Sequence, residues 1–137
     1  MVYTQVLRLK TRGDTEVIDL TERVATVVKQ SRVRNGIAVV YVQHTTAAVT
    51  TSEYESALVQ DLKAAFERLV SERADYQHNH EYDDNGHAHI RASLLGPSVT
   101  VPVADGELTL GQWQQIVLLD FDNEPRERNV RVQIVGE

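Results

Sequence analysis

A chain of 137 residues with 42% hydrophobic content can bury one ordinary core, so a single domain over residues 1–137 is expected. Its formal charge of -6 disfavours a nucleic-acid partner, because a phosphate backbone rewards a basic face. The absence of cysteine excludes disulfides and thiolate ligation and fits a reducing cytoplasm. Nothing approaches the roughly 20 apolar residues of a membrane span, and the N-terminus lacks the apolar core of a signal peptide, so a soluble cytoplasmic protein is expected.

Val2 to Leu9 alternates apolar and polar residues, Gly13-Asp14 marks a turn, and Thr15 to Ile18 resumes an extended pattern, which predicts a first hairpin. Asp19 and Glu22 have the spacing of a capping box. Leu20, Val24, Val27 and Val28 then recur on one face, predicting a first helix of about three turns. Ile37 to Val42 is apolar at every position, as a strand buried on both sides would be, and places His44 at the end of a rigid element. A second capping box at Ser52 and Glu55 precedes the stripe Leu58, Leu62, Ala65, Phe66 and Leu69, predicting a second helix.

Ser71 to Gly86 is too polar to pack by itself and too long for a plain connector, as a functional loop would be. His89 to Leu95 leaves helix and strand both open, with Gly96-Pro97 ending it. Ser98 to Val103 and Glu107 to Leu110 flank Ala104-Asp-Gly106 as a hairpin. Gln114 to Phe121 and Asn129 to Val135 flank a turn at Asp122-Asn-Glu-Pro125.

Four of the five histidines, His78, His80, His87 and His89, fall in that polar loop and its exit; the fifth is His44. Imidazole is the commonest protein ligand for borderline metals and titrates near neutral pH, so the clustering points to a metal or acid/base site. A solvated, histidine-rich loop is the bland alternative. The spacing matches neither a zinc finger nor a His-Glu-x-x-His zincin.

The run Leu94-Leu-Gly-Pro-Ser-Val-Thr-Val-Pro-Val-Ala-Asp-Gly-Glu-Leu-Thr-Leu-Gly-Gln-Trp-Gln115, with His-Ala-His-Ile90 and Gln43-His-Thr-Thr-Ala-Ala48 before it, resembles the YjbQ family (UPF0047) over nearly the whole chain. Gln112 departs from the threonine usual before the tryptophan, and Glu124 stands where glycine or arginine is often found. The resemblance implies a compact α+β fold of two packed β-layers with two main helices, assembled as a homotrimer. It also implies a weak thiamine-phosphate synthase activity, joining hydroxymethylpyrimidine diphosphate to thiazole phosphate with release of pyrophosphate. His44, His78 and His89 match the family's histidine positions and would hold a divalent ion, zinc or magnesium, with open positions left for water or substrate. His80 and His87 are additional.

Around that centre, Glu53 is a candidate base or partner of a ligating imidazole, although an acidic residue in a first helical turn also simply complements the helix dipole. Thr45, Thr46 and Ser52 offer hydroxyls for a phosphorylated substrate beside a helix N-terminus, and equally serve as plain β residues. Arg126 and Arg128 project to one side of an extended chain, where they either grip phosphate or pair with Asp120 and Asp122 on the surface. Trp113 is read as a core or interface residue. Leu108, Leu110, Trp113, Ile116 and Leu118 are read as the apolar surface that a trimer would bury. A metal-dependent hydrolase and a non-enzymatic anionic-metabolite binder are the alternative functions.

Overall fold

A computed structural model describes residues 1–137. In chain order the elements are β1 (Val2–Thr11), β2 (Glu16–Asp19), α1 (Thr21–Ser31), β3 (Gly36–Val42), β4 (Ala47–Ser52), α2 (Ser56–Leu69), α3 (Gln77–Glu81), α4 (Gly86–Leu95), β5 (Ser98–Ala104), β6 (Glu107–Leu108), β7 (Gln115–Asp120) and β8 (Arg126–Gly136). All strand pairs are antiparallel, in a five-stranded sheet ordered β1-β8-β3-β5-β6 and a three-stranded sheet ordered β2-β7-β4. The fold is α+β with two β-layers, as expected.

The strand β7 explains the layering. Ile116 and Leu118 point into a core shared with Leu20, with α1 (Val24, Val27, Val28) and with the inner face of the large sheet (Ala38, Val40, Val132, Ile134). Val117 and Leu119 point the other way, to a second core that Phe66 of α2, Ala88 and Ala92 of α4, and Phe121 complete. Phe66 and Phe121 meet edge to face with centroids 5.0 Å apart. Full burial of each such large apolar side chain contributes about 1.5–3 kcal/mol.

Several local expectations give way to long-range pairing. The β1–β2 hairpin does not form, because Gly13, Asp14 and Thr15 all have positive φ and carry the chain from the large sheet into the small one. There Asp14 N–H donates to the Asp122 carbonyl at 2.8 Å. β7 and β8 likewise lie in different sheets rather than forming a hairpin. It is β7, not β3, that is buried on both faces: Ile37 and Tyr41 of β3 are 41% and 42% exposed, since nothing in the chain covers the outer face of the large sheet.

The caps also differ from expectation. Leu20 is the N-cap of α1, and Asp19 instead accepts from Thr21 N–H at 3.0 Å. Glu55 rather than Ser52 caps α2, accepting from Ala57 and Leu58 N–H, because Ser52 ends β4, a strand whose Ala-Ala-Val-Thr-Thr-Ser sequence carries no alternation. The polar loop contains the short α3, and the unsettled segment after it is the helix α4. The β5–β6 hairpin forms as predicted, with positive φ at Asp105 and Gly106 as an Asp-Gly turn of this kind requires.

Candidate functional site

The histidine-rich segment folds as two short helices meeting at a tight connection. α3 carries His78 and His80, α4 carries His87 and His89, and Asp83 lies between them. The His78 and His89 rings approach to 4.6 Å between centroids, and Asp83 Oδ1 lies 3.1 Å from His78 Nε2. One ligand atom from each of His78, Asp83 and His89 falls within 4.8 Å of the other two. The Asn85 N–H donates to Asp83 Oδ1 at 3.2 Å, fixing the carboxylate.

The remaining histidines occupy different environments. His80 points away and lies 2.5 Å from the exposed Asp75. His87 is 2% exposed and its Nδ1 is buried without a hydrogen-bond partner. His44 is outside the cluster: its Nε2 accepts a hydrogen bond from Asn129 N–H at 2.9 Å. That bond occupies the lone pair a metal needs and leaves Nδ1–H as the free donor. His44 therefore does not join His78 and His89, and Asp83 is the third donor side chain gathered with them.

His44 and His89 both line a cavity of about 560 Å³, between the β3–β4 connection and α4, with Tyr41, Gln43, Thr45 and Ser93 also in its wall. The pKa of His44 is lowered by burial and then by the Arg128 charge, against the pull of Asp120. His89 is lowered by burial and by His78, with Asp83 and Asp122 opposing. Both imidazoles thus favour the neutral form that a ligand or a base requires.

Thr46, Arg126 and Arg128 are turned elsewhere. Arg128 is 3% exposed and binds Asp120 through Nε at 2.6 Å and Nη2 at 2.9 Å, while Nη2 also donates to Thr46 Oγ1 at 2.7 Å. Arg126 Nε donates to Asp122 Oδ2 at 3.1 Å. Both arginines are thus paired with the aspartates: Arg128–Asp120 lies wholly in the interior, while Arg126, itself exposed, reaches the buried Asp122 from the surface.

Glu53 lies before the Glu55 cap rather than in the first turn of α2. With Ser52 it borders a shallow groove beside Trp113, apart from the histidines. The imidazole contacts expected of it are made by Asp83 and Asp75. Asp83 and Asn85 are absent from the sequence reading, and Asp122 enters it only as a turn residue and a surface partner for an arginine. The one available signal was the Asp-Asp-Asn run between the histidine pairs, where a carboxylate close to imidazoles completes a mixed nitrogen and oxygen donor set.

The family model described as "UPF0047 protein YjbQ-like" matches residues 5–137. The chain belongs to the YjbQ (UPF0047) family. A UPF0047 protein of Methanothermobacter thermautotrophicus is 43% identical over 136 residues, covering 99% of this chain and 94% of that protein. YugU of Bacillus subtilis is 32% identical, with coverage of 96% and 98%. Among solved structures, a YbjQ-like protein of Sulfolobus solfataricus superposes with a TM-score of 0.96 at 35% identity, over 100% of this chain and 99% of that one. A YjbQ/UPF0047 protein of Clostridium acetobutylicum gives 0.89 at 38%, with coverage of 96% and 99%.

Proposed function

We propose that this protein is a divalent-metal-dependent enzyme of the cytoplasm acting on a phosphorylated small molecule, with a reaction of the thiamine-phosphate synthase type. The observation that carries the reading is the convergence of His78, Asp83 and His89 at the edge of the cavity that His89 shares with His44. Two imidazoles and one carboxylate form a mixed donor set that suits zinc better than magnesium, which prefers oxygen ligands throughout. A bound ion would supply Lewis acidity to a diphosphate oxygen as the pyrophosphate leaves. The protein's own part is to hold the two precursors together, with His44 Nδ1–H and the Gln43, Thr45 and Ser93 side chains offering hydrogen bonds in the cavity wall.

One observation favours hydrolysis as a second reading. No Lys or Arg lines the cavity, and Arg126 and Arg128 are engaged by Asp122 and Asp120, so the ion would be the only positive charge offered to a diphosphate. Incubation of pure protein and Zn²⁺ with both thiamine precursors decides between them. Thiamine phosphate and pyrophosphate formed by the wild type and lost in Asp83→Ala support the first reading. Phosphate release that needs no second precursor supports hydrolysis, and no turnover of either kind contradicts both.

The proposed assembly is a homotrimer. Of the apolar residues expected to be buried in it, Ile116 and Leu118 are 0% exposed in the core and Leu108 and Leu110 are partly buried against it, while Trp113 stays exposed; Val2, Val6, Ile37, Tyr41 and Val135 remain exposed as well. All five belong to the three adjacent strands β1, β8 and β3 of the large sheet, whose outer face a closed ring of copies would cover. Light scattering at micromolar concentration is expected to report three subunits; a monomer contradicts this assembly.

A further inference from the structure

Asp122 is 2% exposed and every acceptor position on its carboxylate is filled. Oδ1 accepts from Asn85 Nδ2 at 3.1 Å and from Glu124 N–H at 3.0 Å; Oδ2 accepts from Thr46 Oγ1 at 2.9 Å and from Arg126 Nε at 3.1 Å. A carboxylate offers about four lone-pair sites, so these four donors saturate it and fix its orientation. The partners matter because of what they adjoin.

Thr46 is two residues beyond His44. Its hydroxyl also accepts from Arg128, and the neighbour of Arg128, Asn129, donates the N–H that holds His44 Nε2. On the other side Asn85 is the N-cap of α4. Its carbonyl accepts from His89 N–H at 3.1 Å, its own N–H holds Asp83, and its Oδ1 accepts from Asn123 N–H at 3.0 Å. One buried carboxylate therefore accepts from a side chain behind each side of the cavity, Thr46 next to the wall residue Thr45 and Asn85 at the N-cap of the helix that carries His89.

We infer that Asp122 is a positioning residue that sets the His44 wall against the Asp83/His89 wall, through Thr46 on one side and Asn85 on the other. It reaches neither the cavity nor the cluster itself, so it acts only by fixing the groups that do. The inference rests on the histidine cluster and cavity being the working site, but its test does not require turnover. Polar groups that orient ligating residues typically change metal affinity 10- to 100-fold when altered, and a saturated buried carboxylate leaves its donors few alternatives.

The experiment compares Asp122→Asn, Thr46→Val and Asn85→Ala in the metal-free full chain, reading the imidazole Cε1–Hε1 NMR signals at fixed pH. Thr46→Val is expected to shift His44 and leave His78 and His89 in place. Asn85→Ala is expected to do the reverse, and Asp122→Asn to shift all three. A Zn²⁺ titration beside it is expected to weaken about 10- to 100-fold in Asp122→Asn and Asn85→Ala and to be unchanged in Thr46→Val.

A residue that only stabilised the fold would not produce this division. The inference is overturned if Asp122→Asn leaves the three signals unmoved, or if Thr46→Val and Asn85→Ala disturb the same set of histidines. Should Asp122→Asn fail to fold, the other two variants still decide. Absence of Zn²⁺ binding by the wild type would remove the metal from the proposed function while the imidazole signals continue to judge Asp122.

Discussion

Arg128 and Asp120 form a two-point ion pair closed to water, with Nε to Oδ2 at 2.6 Å and Nη2 to Oδ1 at 2.9 Å. Its planar fork matches the carboxylate as it would match a phosphate, but the buried partner was built in. Arg128→Met strands the Asp120 charge in the interior and is expected to cost about 3–5 kcal/mol. Arg126→Met removes a guanidinium that is 42% exposed from an Asp122 that keeps three other donors, and should cost about 1 kcal/mol or less. Urea unfolding of the two variants tests the contrast, and similar losses would contradict it.

Metal binding separates the histidines. His78→Ala, Asp83→Ala and His89→Ala are each expected to weaken Zn²⁺ binding strongly, because each removes one of three convergent donors. His44→Ala, His80→Ala and His87→Ala should leave it nearly unchanged. Isothermal titration reads this directly. Loss of binding in His44→Ala would show that His44 abandons the Asn129 N–H to reach the ion.

Stability should fall on acidification near neutral pH. Burial, first of all, lowers the pKa values of His44, His87 and His89 below the ordinary value of 6.5, so the unfolded chain takes up protons that the folded one refuses. Their contribution is fully present above about pH 6.5 and is lost as pH falls from there through the folded-state values. Removing His87, whose Nδ1 is both buried and unpartnered, by His87→Leu should flatten this acid limb and raise stability by about 1 kcal/mol. Thermal melts of wild type and variant from about pH 8 to 5 check both signs.

Gly36 and Gly136 face each other across β3 and β8. A Cβ on Gly36 would stand 2.0 Å from the Val135 carbonyl oxygen and 2.7 Å from the Gly136 Cα, both backbone atoms that cannot swing aside. Gly36→Ala is therefore expected to destabilise by at least about 1–3 kcal/mol. An unchanged denaturation midpoint would mean that the two strands separate more easily than this register implies.

What was legible in the sequence was local. The stripe of α1 and the Asp-Gly turn between β5 and β6 need only neighbours a few residues apart, and both form as read. β3 was recognised as a strand but assigned two buried faces, because a run of apolar residues does not say whether its second face meets the core or a bare sheet surface. The pairing of β2 with β7 spans about a hundred residues and leaves no periodic mark.

The site divides in the same way. The crowding of His78 and His89 was visible. The hydrogen bond that turns His44 Nε2 from ligand to acceptor comes from Asn129, 85 residues on, and the choice of Arg128 between phosphate and carboxylate was decided by burial, which alternation alone does not reveal.

The β1–β8 ladder has a consequence for synthesis. Ten registers join Val2–Thr11 to residues 126–135, so β1 leaves the ribosome more than a hundred residues ahead of the strand that pairs with it. At about 5–20 residues per second, β1 stays without its partner for roughly 6 to 23 s, long enough for a bare edge to recruit another nascent chain. Arg8 and Lys10 alternate along that strand, at spacings where like charges on neighbouring chains repel stacking. Neutralising both should leave the finished fold standing while increasing the share of newly made chains that aggregate.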